Sequence, residues 1–275
     1  MKFLTFASVL ALSTAAFAAP NTSINDLQYL PDAGTKYGFT QVSYMNDQDG
    51  TDRTSGFTFG QTVGYSLRNN LSLEVGIEYE DLTSRQSLNS NGFTNPTLHG
   101  KYRLIDQNNT RLDVFAGAHI NAWGNREVTN NRISANEGGH SFDVGAVYGH
   151  KHENFQWSVG ASILRKLEET TKDKTDGSKE KHKAHNEVHL EANLLTAIYK
   201  NSFIKTTLGF EMDEPHGIKG GANHNAVNSY RVGVEYQHVC KDNLFLAAGV
   251  TQKTENEDNV KSTHFVYHVG AGYQF

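Results

Sequence analysis

From about Gly34 to the last residue, apolar side chains recur at alternate positions in one run after another. In the third run Leu71, Leu73, Val75, Ile77 and Tyr79 alternate with Ser72, Glu74, Gly76, Glu78 and Glu80. A period of two puts these two sets on opposite faces of a β-strand. The runs predict twelve strands, over 34–45, 55–67, 71–83, 94–105, 110–122, 140–150, 155–166, 186–199, 202–212, 228–238, 244–254 and 263–275. Through the trimmed middle of the later eleven, the apolar phase carries no Asp, Glu, Lys or Arg, although 20% of the chain is charged. Asp81 and Arg165 reach that phase only at its fringes.

A soluble sandwich or lipocalin-like barrel would turn its charges outward to water. A charge-free face over so many strands suits hydrocarbon instead, where Lys or Arg at the midplane costs about 2–4 kcal/mol. An open sheet edge in lipid would leave a row of unpaired N–H and C=O groups, so the sheet must close. The expected fold is all-β, a closed 12-stranded antiparallel transmembrane β-barrel over 34–275. The connections agree with it. Short links at 68–70, 106–109, 151–154, 200–201 and 239–243 alternate with long ones at 46–54, 84–93, 123–139, 167–185, 213–227 and 255–262. Short periplasmic turns and long outer loops are the asymmetry of outer-membrane barrels.

The first strand has no clear phase. Tyr37 and Phe39 argue for one face as apolar, Val42 and Tyr44 for the other, and a bulge near Gly38 would reconcile them. Aromatic residues gather near the strand ends, among them Tyr65, Tyr102, Tyr148 and Trp157 at one end and Phe57, Tyr79 and Tyr230 at the other, as interfacial girdles would. Ahead of the strands, Lys2, the apolar stretch Phe3 to Leu12 and Ala16-Phe17-Ala18 have the form of a signal peptide over 1–18. Residues 19–33 are assigned as a periplasmic N-terminal tail, with a segment tucked into the lumen as the alternative. A lone cysteine, Cys240, allows no intramolecular disulfide. The net charge of -5 without a basic stripe gives no support to nucleic-acid binding.

The inward phase carries nearly all the strand charge. Its cations are Lys101, Arg103, Arg111, Lys166, Lys205, Arg231 and Lys253; its anions are Glu74, Glu78, Glu80, Asp113, Asp143, Glu187, Glu191, Glu211 and Glu235. His99, His119, His189 and His268 share that phase. Counting up from the turns places Glu74, Lys101 and Asp113 at one level and Lys205 beside Glu235, so pairing across strands is expected. Such a wall either satisfies itself or forms a mixed-charge constriction that orders passing solutes. Recurrent inward glycines, such as Gly64, Gly117, Gly209 and Gly249, are read as aids to curvature. With eight strands filled by side chains and sixteen leaving a channel, twelve imply a narrow passage.

Thirteen histidines are unusual. His182, His185 and His189 are spaced H-x2-H-x3-H, yet His182 lies in the loop before the strand face that holds the other two, so no metal site is expected from them. An outer-membrane hydrolase is the hypothesis from another class. It would need Ser and His together on the membrane phase, and the trimmed strands have neither there, so no catalytic residues are assigned. A non-conducting structural or adhesive barrel working through its outer loops is the third; the polar 167–185 loop is the candidate, expected to be mobile.

The last run ends Gly-Tyr-Gln-Phe, with aromatic residues alternating back from the final Phe, and resembles the segment by which bacterial outer-membrane barrels are recognised for insertion; Tyr273 and Phe275 would be its signal positions. Asn95-Pro96-Thr97-Leu98-His99-Gly100-Lys101-Tyr102-Arg103-Leu104 resembles the fourth-strand motif of outer-membrane transporters grouped with phenol degradation by the meta pathway, with His99 where that motif has a small or apolar residue. These resemblances imply residence in a Gram-negative outer membrane among its lipid and lipopolysaccharide, insertion by the barrel assembly machinery, and passive diffusion of small polar or aromatic solutes. No cofactor is implied, and the oligomeric state is left open.

Overall fold

A computed structural model describes residues 25–49, 52–85, 88–218, 223–224, 226–241, 243–257 and 260–275. The proposed signal peptide lies outside the described residues. Twelve long strands run β1 (Lys36–Asp49), β2 (Asp52–Arg68), β3 (Leu71–Ser84), β4 (Thr97–Gln107), β5 (Thr110–His119), β6 (Ser141–Lys151), β7 (Phe155–Lys166), β8 (His185–Tyr199), β9 (Ser202–Asp213), β10 (Val227–Lys241), β11 (Leu244–Glu257) and β12 (Val260–Gln274). Each is hydrogen-bonded antiparallel to its neighbours in sequence, and β12 pairs back on β1 from Tyr37↔Gln274 to Gln48↔Thr263. The sheet therefore has no free edge. No helix among the described residues is long and apolar enough to cross a membrane.

Burial follows the period of two. Val63, Val75, Val144, Leu208 and Val232 are among the apolar side chains left exposed on the outer wall, whereas Glu187, Asp113, Lys166 and Lys253 are almost completely buried inside it. This inverts the ordinary arrangement of a soluble protein, as a lipid-facing exterior requires. Aromatic pairs sit on the outer wall near both ends, with Tyr44–Phe57 and Phe210–Tyr230 ring centroids 5.0 and 5.3 Å apart at one and Tyr148–Trp157 5.7 Å apart at the other.

One end of the barrel is made of short turns. Between β4 and β5 the connection is two residues, Asn108 and Asn109, with φ of 51° and 63°. Two consecutive positive φ values make a type I′ hairpin, a conformation that asparagine tolerates and whose twist matches the strands. The opposite end is more ordered than expected. The connections at 46–54 and 255–262 are not long loops: β1 and β2 remain paired to Asp49↔Asp52, and β11 and β12 to Glu257↔Val260. Polar side chains are no obstacle to a ladder that continues into water, so composition alone misplaces the end of these strands.

The 167–185 connection, expected to be mobile, is a hairpin of Glu169–Asp173 on Lys179–His182. Glu169–Asp173 also runs parallel to Arg126–Val128, and Asn89–Phe93 pairs antiparallel with β3 and parallel with Arg132–Ser134. These short strands bind three outer loops into one canopy.

β1 contains no bulge; its pairing with β2 and β12 is continuous. Tyr37 and Phe39 point inward and are buried, while Val42 and Tyr44 are exposed on the outer wall. Both phases are apolar because the inward aromatics meet something inside the barrel. That partner is the chain's own N-terminal segment. Asn25–Leu30, buried except for half-buried Leu27, lies within the short-turn end, so for these residues the periplasmic-tail assignment gives way to the alternative, a segment tucked into the lumen; residues 19–24 lie outside the described residues.

Candidate functional site

The N-terminal segment is fixed at both its ends and from several walls. Lys151 Nζ donates to Asp26 Oδ2 at 2.7 Å, Arg111 lies 3.6 Å from the same carboxylate, and Gln156 Nε2 donates to its other oxygen. Leu27 N donates to Gln156 Oε1 at 3.2 Å, and Gln28 Nε2 to the Val147 carbonyl at 3.0 Å. The Gln28 carbonyl accepts from Arg103 at 2.5 Å, and the Tyr29 carbonyl from Lys101 at 3.3 Å. Across the bore, the Tyr29 ring packs edge-on against Tyr37 and Phe39, with centroids 4.9 and 5.8 Å apart, and Phe245 and Ala247 complete the cluster. Gly64 makes room for Tyr37, whose ring a Cβ there would overlap. Glycine on this wall serves the side chains of neighbouring strands, a role that curvature alone does not describe; Gly209 does the same for Arg231 and Gly249 for His268.

Just inside this plug, Lys101 Nζ is 3.8 Å from Glu74 Oε1, which also accepts from Tyr37 Oη at 2.8 Å. Asp113 is held by Arg103 in a fork, with Nε at 2.8 Å and an Nη at 3.1 Å. The expected single level of Glu74, Lys101 and Asp113 is corrected here: Lys101 pairs across to Phe115, and Arg103 is opposite Asp113. The register shift between Arg103 and Ile105 moves this end of β4 relative to β5, which counting from the turn does not reveal. Lys205 does face Glu235, in the β9–β10 register.

Farther along the bore the charges pair across non-adjacent strands, which only inward side chains can do. Arg231 on β10 bonds Glu191 on β8, Lys253 on β11 is 3.3 Å from Glu211 on β9, and His268 on β12 is 2.8 Å from Glu235 on β10. Cavities of about 150 and 80 Å³ lie in the bore among the described residues. Glu78, Lys205 and His268 line the larger one, His189 and Glu211 the smaller, and the Glu191–Arg231 pair belongs to both walls. That pair therefore separates two open volumes.

The loop end is a second zone of buried charge that sequence reasoning did not resolve. Lys166 Nζ is 2.7 Å from Glu187 Oε1, which lies within 4.0 Å of His185, and His189 is 3.4 Å from the other Glu187 oxygen. His264 stands between Asp47 at 3.0 Å and Glu255 at 3.2 Å, and Ser90 donates to Glu80. Burial beneath the canopy pushes the Glu169 carboxyl up to about 7, against the pull of Lys166. His182, His185 and His189 do not converge: His182 bridges to Ile218, His185 stacks on His216 with centroids 4.0 Å apart, and His189 turns to Glu187. His99 and His119 lie on the inner wall beside Asp143, at 3.7 and 4.0 Å. Tyr273 stands on the outer wall, its ring stacked on Phe275 with centroids 5.7 Å apart.

An edgeless antiparallel sheet, apolar outside and ionised inside, defines the class of membrane-spanning β-barrels. The chain belongs to the outer membrane protein beta-barrel domain family, whose model matches residues 4–185. Its place is accordingly the outer membrane. A search of curated proteins finds no match. Among solved structures, it resembles an outer membrane channel from Pseudomonas putida F1, with TM-score 0.74 and 11% identity over 95% of this chain and 98% of that one. It also resembles the transport unit of the autotransporter AIDA-I from Escherichia coli, with TM-score 0.56 and 10% identity over 88% and 90% of the two chains. A third likeness is to the NanC porin, with TM-score 0.51 and 9% identity over 85% and 98%. At these identities the likeness is one of fold.

Proposed function

We propose that the protein is an outer-membrane channel through which small polar or aromatic solutes pass by passive diffusion. The observation that carries this reading is the pair of cavities inside a charged bore, divided by Glu191 and Arg231. A barrel that served only as a wall or an anchor would gain from a core packed to ordinary interior density. The larger cavity, at about 150 Å³, has the size that accepts one benzene ring in engineered protein interiors. Near-balanced charge in the bore favours weak ionic selectivity, with solutes oriented by side-by-side opposite charges rather than sorted by sign.

By the rule for outer-membrane barrels the short turns face the periplasm. The Asn25–Leu30 segment then closes the periplasmic mouth, and solute passage requires it to shift. This supports a gated channel, and it is also the observation that favours the second reading, a closed barrel whose outer canopy does the work. Planar-bilayer recording of the purified, folded protein separates them. Ohmic single-channel steps that diminish on adding aromatic acids support diffusion of such solutes; a membrane that stays silent at every voltage, with folded barrel incorporated, refutes the channel.

A further inference from the structure

We infer that His99, His119 and Asp143 form a binding site for a divalent transition-metal ion on the inner wall of the barrel. The three residues are far apart in sequence and come from three consecutive strands. In the β4–β5 register His99 is opposite Gly117, and in the β5–β6 register Gly117 is opposite Asp143, so His99, Gly117 and Asp143 form one row across the wall. His119 lies two residues farther along β5, on the same inward face.

Two strand spacings separate the His99 and Asp143 backbones, about 10 Å, and their side chains meet only by reaching over the residue between them. That residue is glycine. A Cβ at Gly117 would overlap Asp143 Oδ1 and would come within 2.5 Å of the His99 ring. The missing side chain is thus what allows an imidazole and a carboxylate to converge above β5. His99 Nδ1 is 3.7 Å from Asp143 Oδ2, His119 Nε2 is 4.0 Å from Asp143 Oδ1, and one donor atom of each residue lies within 4.8 Å of the other two.

The cluster has the features of a ligand set waiting for an ion. His99 Nε2 and Asp143 Oδ1 are closed off from solvent and make no hydrogen bond. The side chains keep only 19%, 12% and 11% of their exposure for His99, His119 and Asp143. Donor atoms bound to one zinc ion at about 2.0–2.2 Å stand about 3.3 Å apart in a tetrahedron, so small side-chain rotations close the set. The nearby cation Lys166 is already engaged by Glu187 at 2.7 Å and Glu137 at 4.0 Å. Two imidazoles and one carboxylate select zinc, nickel or cobalt over magnesium and calcium, which prefer oxygen donors. Three protein ligands leave a coordination position for water or for an anionic group of a passing solute.

The site stands whether or not the barrel conducts, and its test needs no channel assay. Purified folded protein in detergent is titrated with Zn2+ by calorimetry and with Co2+ by visible absorption. One ion per chain is expected, with a cobalt spectrum of mixed nitrogen and oxygen coordination. His99→Gln and His119→Gln should each weaken binding by at least the roughly 10- to 100-fold that loss of a mere supporting contact costs. His182→Gln, outside the cluster, should leave it unchanged. Heat-modifiable gel mobility verifies that each variant is folded. Absence of stoichiometric binding overturns the assignment, as does an affinity unaffected in both folded cluster variants; a loss seen equally in His182→Gln overturns it too.

Discussion

Replacing Asp26 by alanine should free the segment that fills the periplasmic mouth. The carboxylate is buried and meets Lys151 at 2.7 Å, Arg111 at 3.6 Å and the Gln156 amide. Breaking a buried ion pair by removing one partner costs about 3–5 kcal/mol, because a charge is stranded. Here the stranding is incomplete. The Lys151 side chain is 34% exposed and rehydrates, and Arg111 retains Asp106 at 3.5 Å. About 2–3 kcal/mol is therefore the expected loss of seating energy. At 1.4 kcal/mol per factor of ten, the ratio of displaced to seated segment rises by about 30- to 150-fold. Single-channel recording should register this as a longer total open time at unchanged unitary voltage dependence. Asp32→Ala, which removes the same charge from an exposed position just after that segment, is the control and should match the parent protein. If the folded Asp26→Ala protein shows the open time of the control, the ion pairs do not hold the mouth closed and the gating argument is wrong.

Neutralising one member of the pair between the two cavities should tilt ionic selectivity in opposite senses: Arg231→Gln leaves Glu191 and favours cations, Glu191→Gln favours anions, and reversal potentials under a salt gradient report the sign. Leu208→Lys, near the middle of β9 on the outer wall, should destabilise the barrel by about 2–4 kcal/mol in lipid vesicles, read by denaturant unfolding. Outer-canopy stability should fall as pH rises from about 5 to 7. With Glu169 raised to about 7 by burial, the folded form keeps a proton that the unfolded chain has released, and the stabilisation present below the unfolded value is lost on passing the folded one. Hydrogen exchange of 169–182 should show this trend, flattened in Glu169→Gln.

The strands were readable because lipid imposes a period of two and keeps charge out of the middle of the outward face. β7, expected and observed at 155–166, has a lipid face of Phe155, Trp157, Val159, Ala161 and Ile163, with Arg165 following only at its loop end. β1 was not readable from its own residues. Tyr37 and Phe39 are apolar and inward because Tyr29 covers them, and no local pattern announces a contact with a non-periodic segment. The Asp26–Lys151 contact is equally hidden, since it joins residues 125 positions apart. Asp113 shows the limit of counting levels from turns, as one bulge redirects its partner. Convergence of His99, His119 and Asp143 depends on register across two ladders and on an absent side chain at Gly117, whereas the histidine spacing visible along the chain, His182 to His189, disperses in space.

The ladder between β1 and β12 joins the first strand to the last, so its hydrogen bonds exist only when the whole chain has arrived. Until then both outermost strands carry unsatisfied backbone groups that acyl chains cannot solvate. A barrel lacking its final strand would leave two open sheet edges, and each unpaired N–H and C=O along them costs several kcal/mol in hydrocarbon.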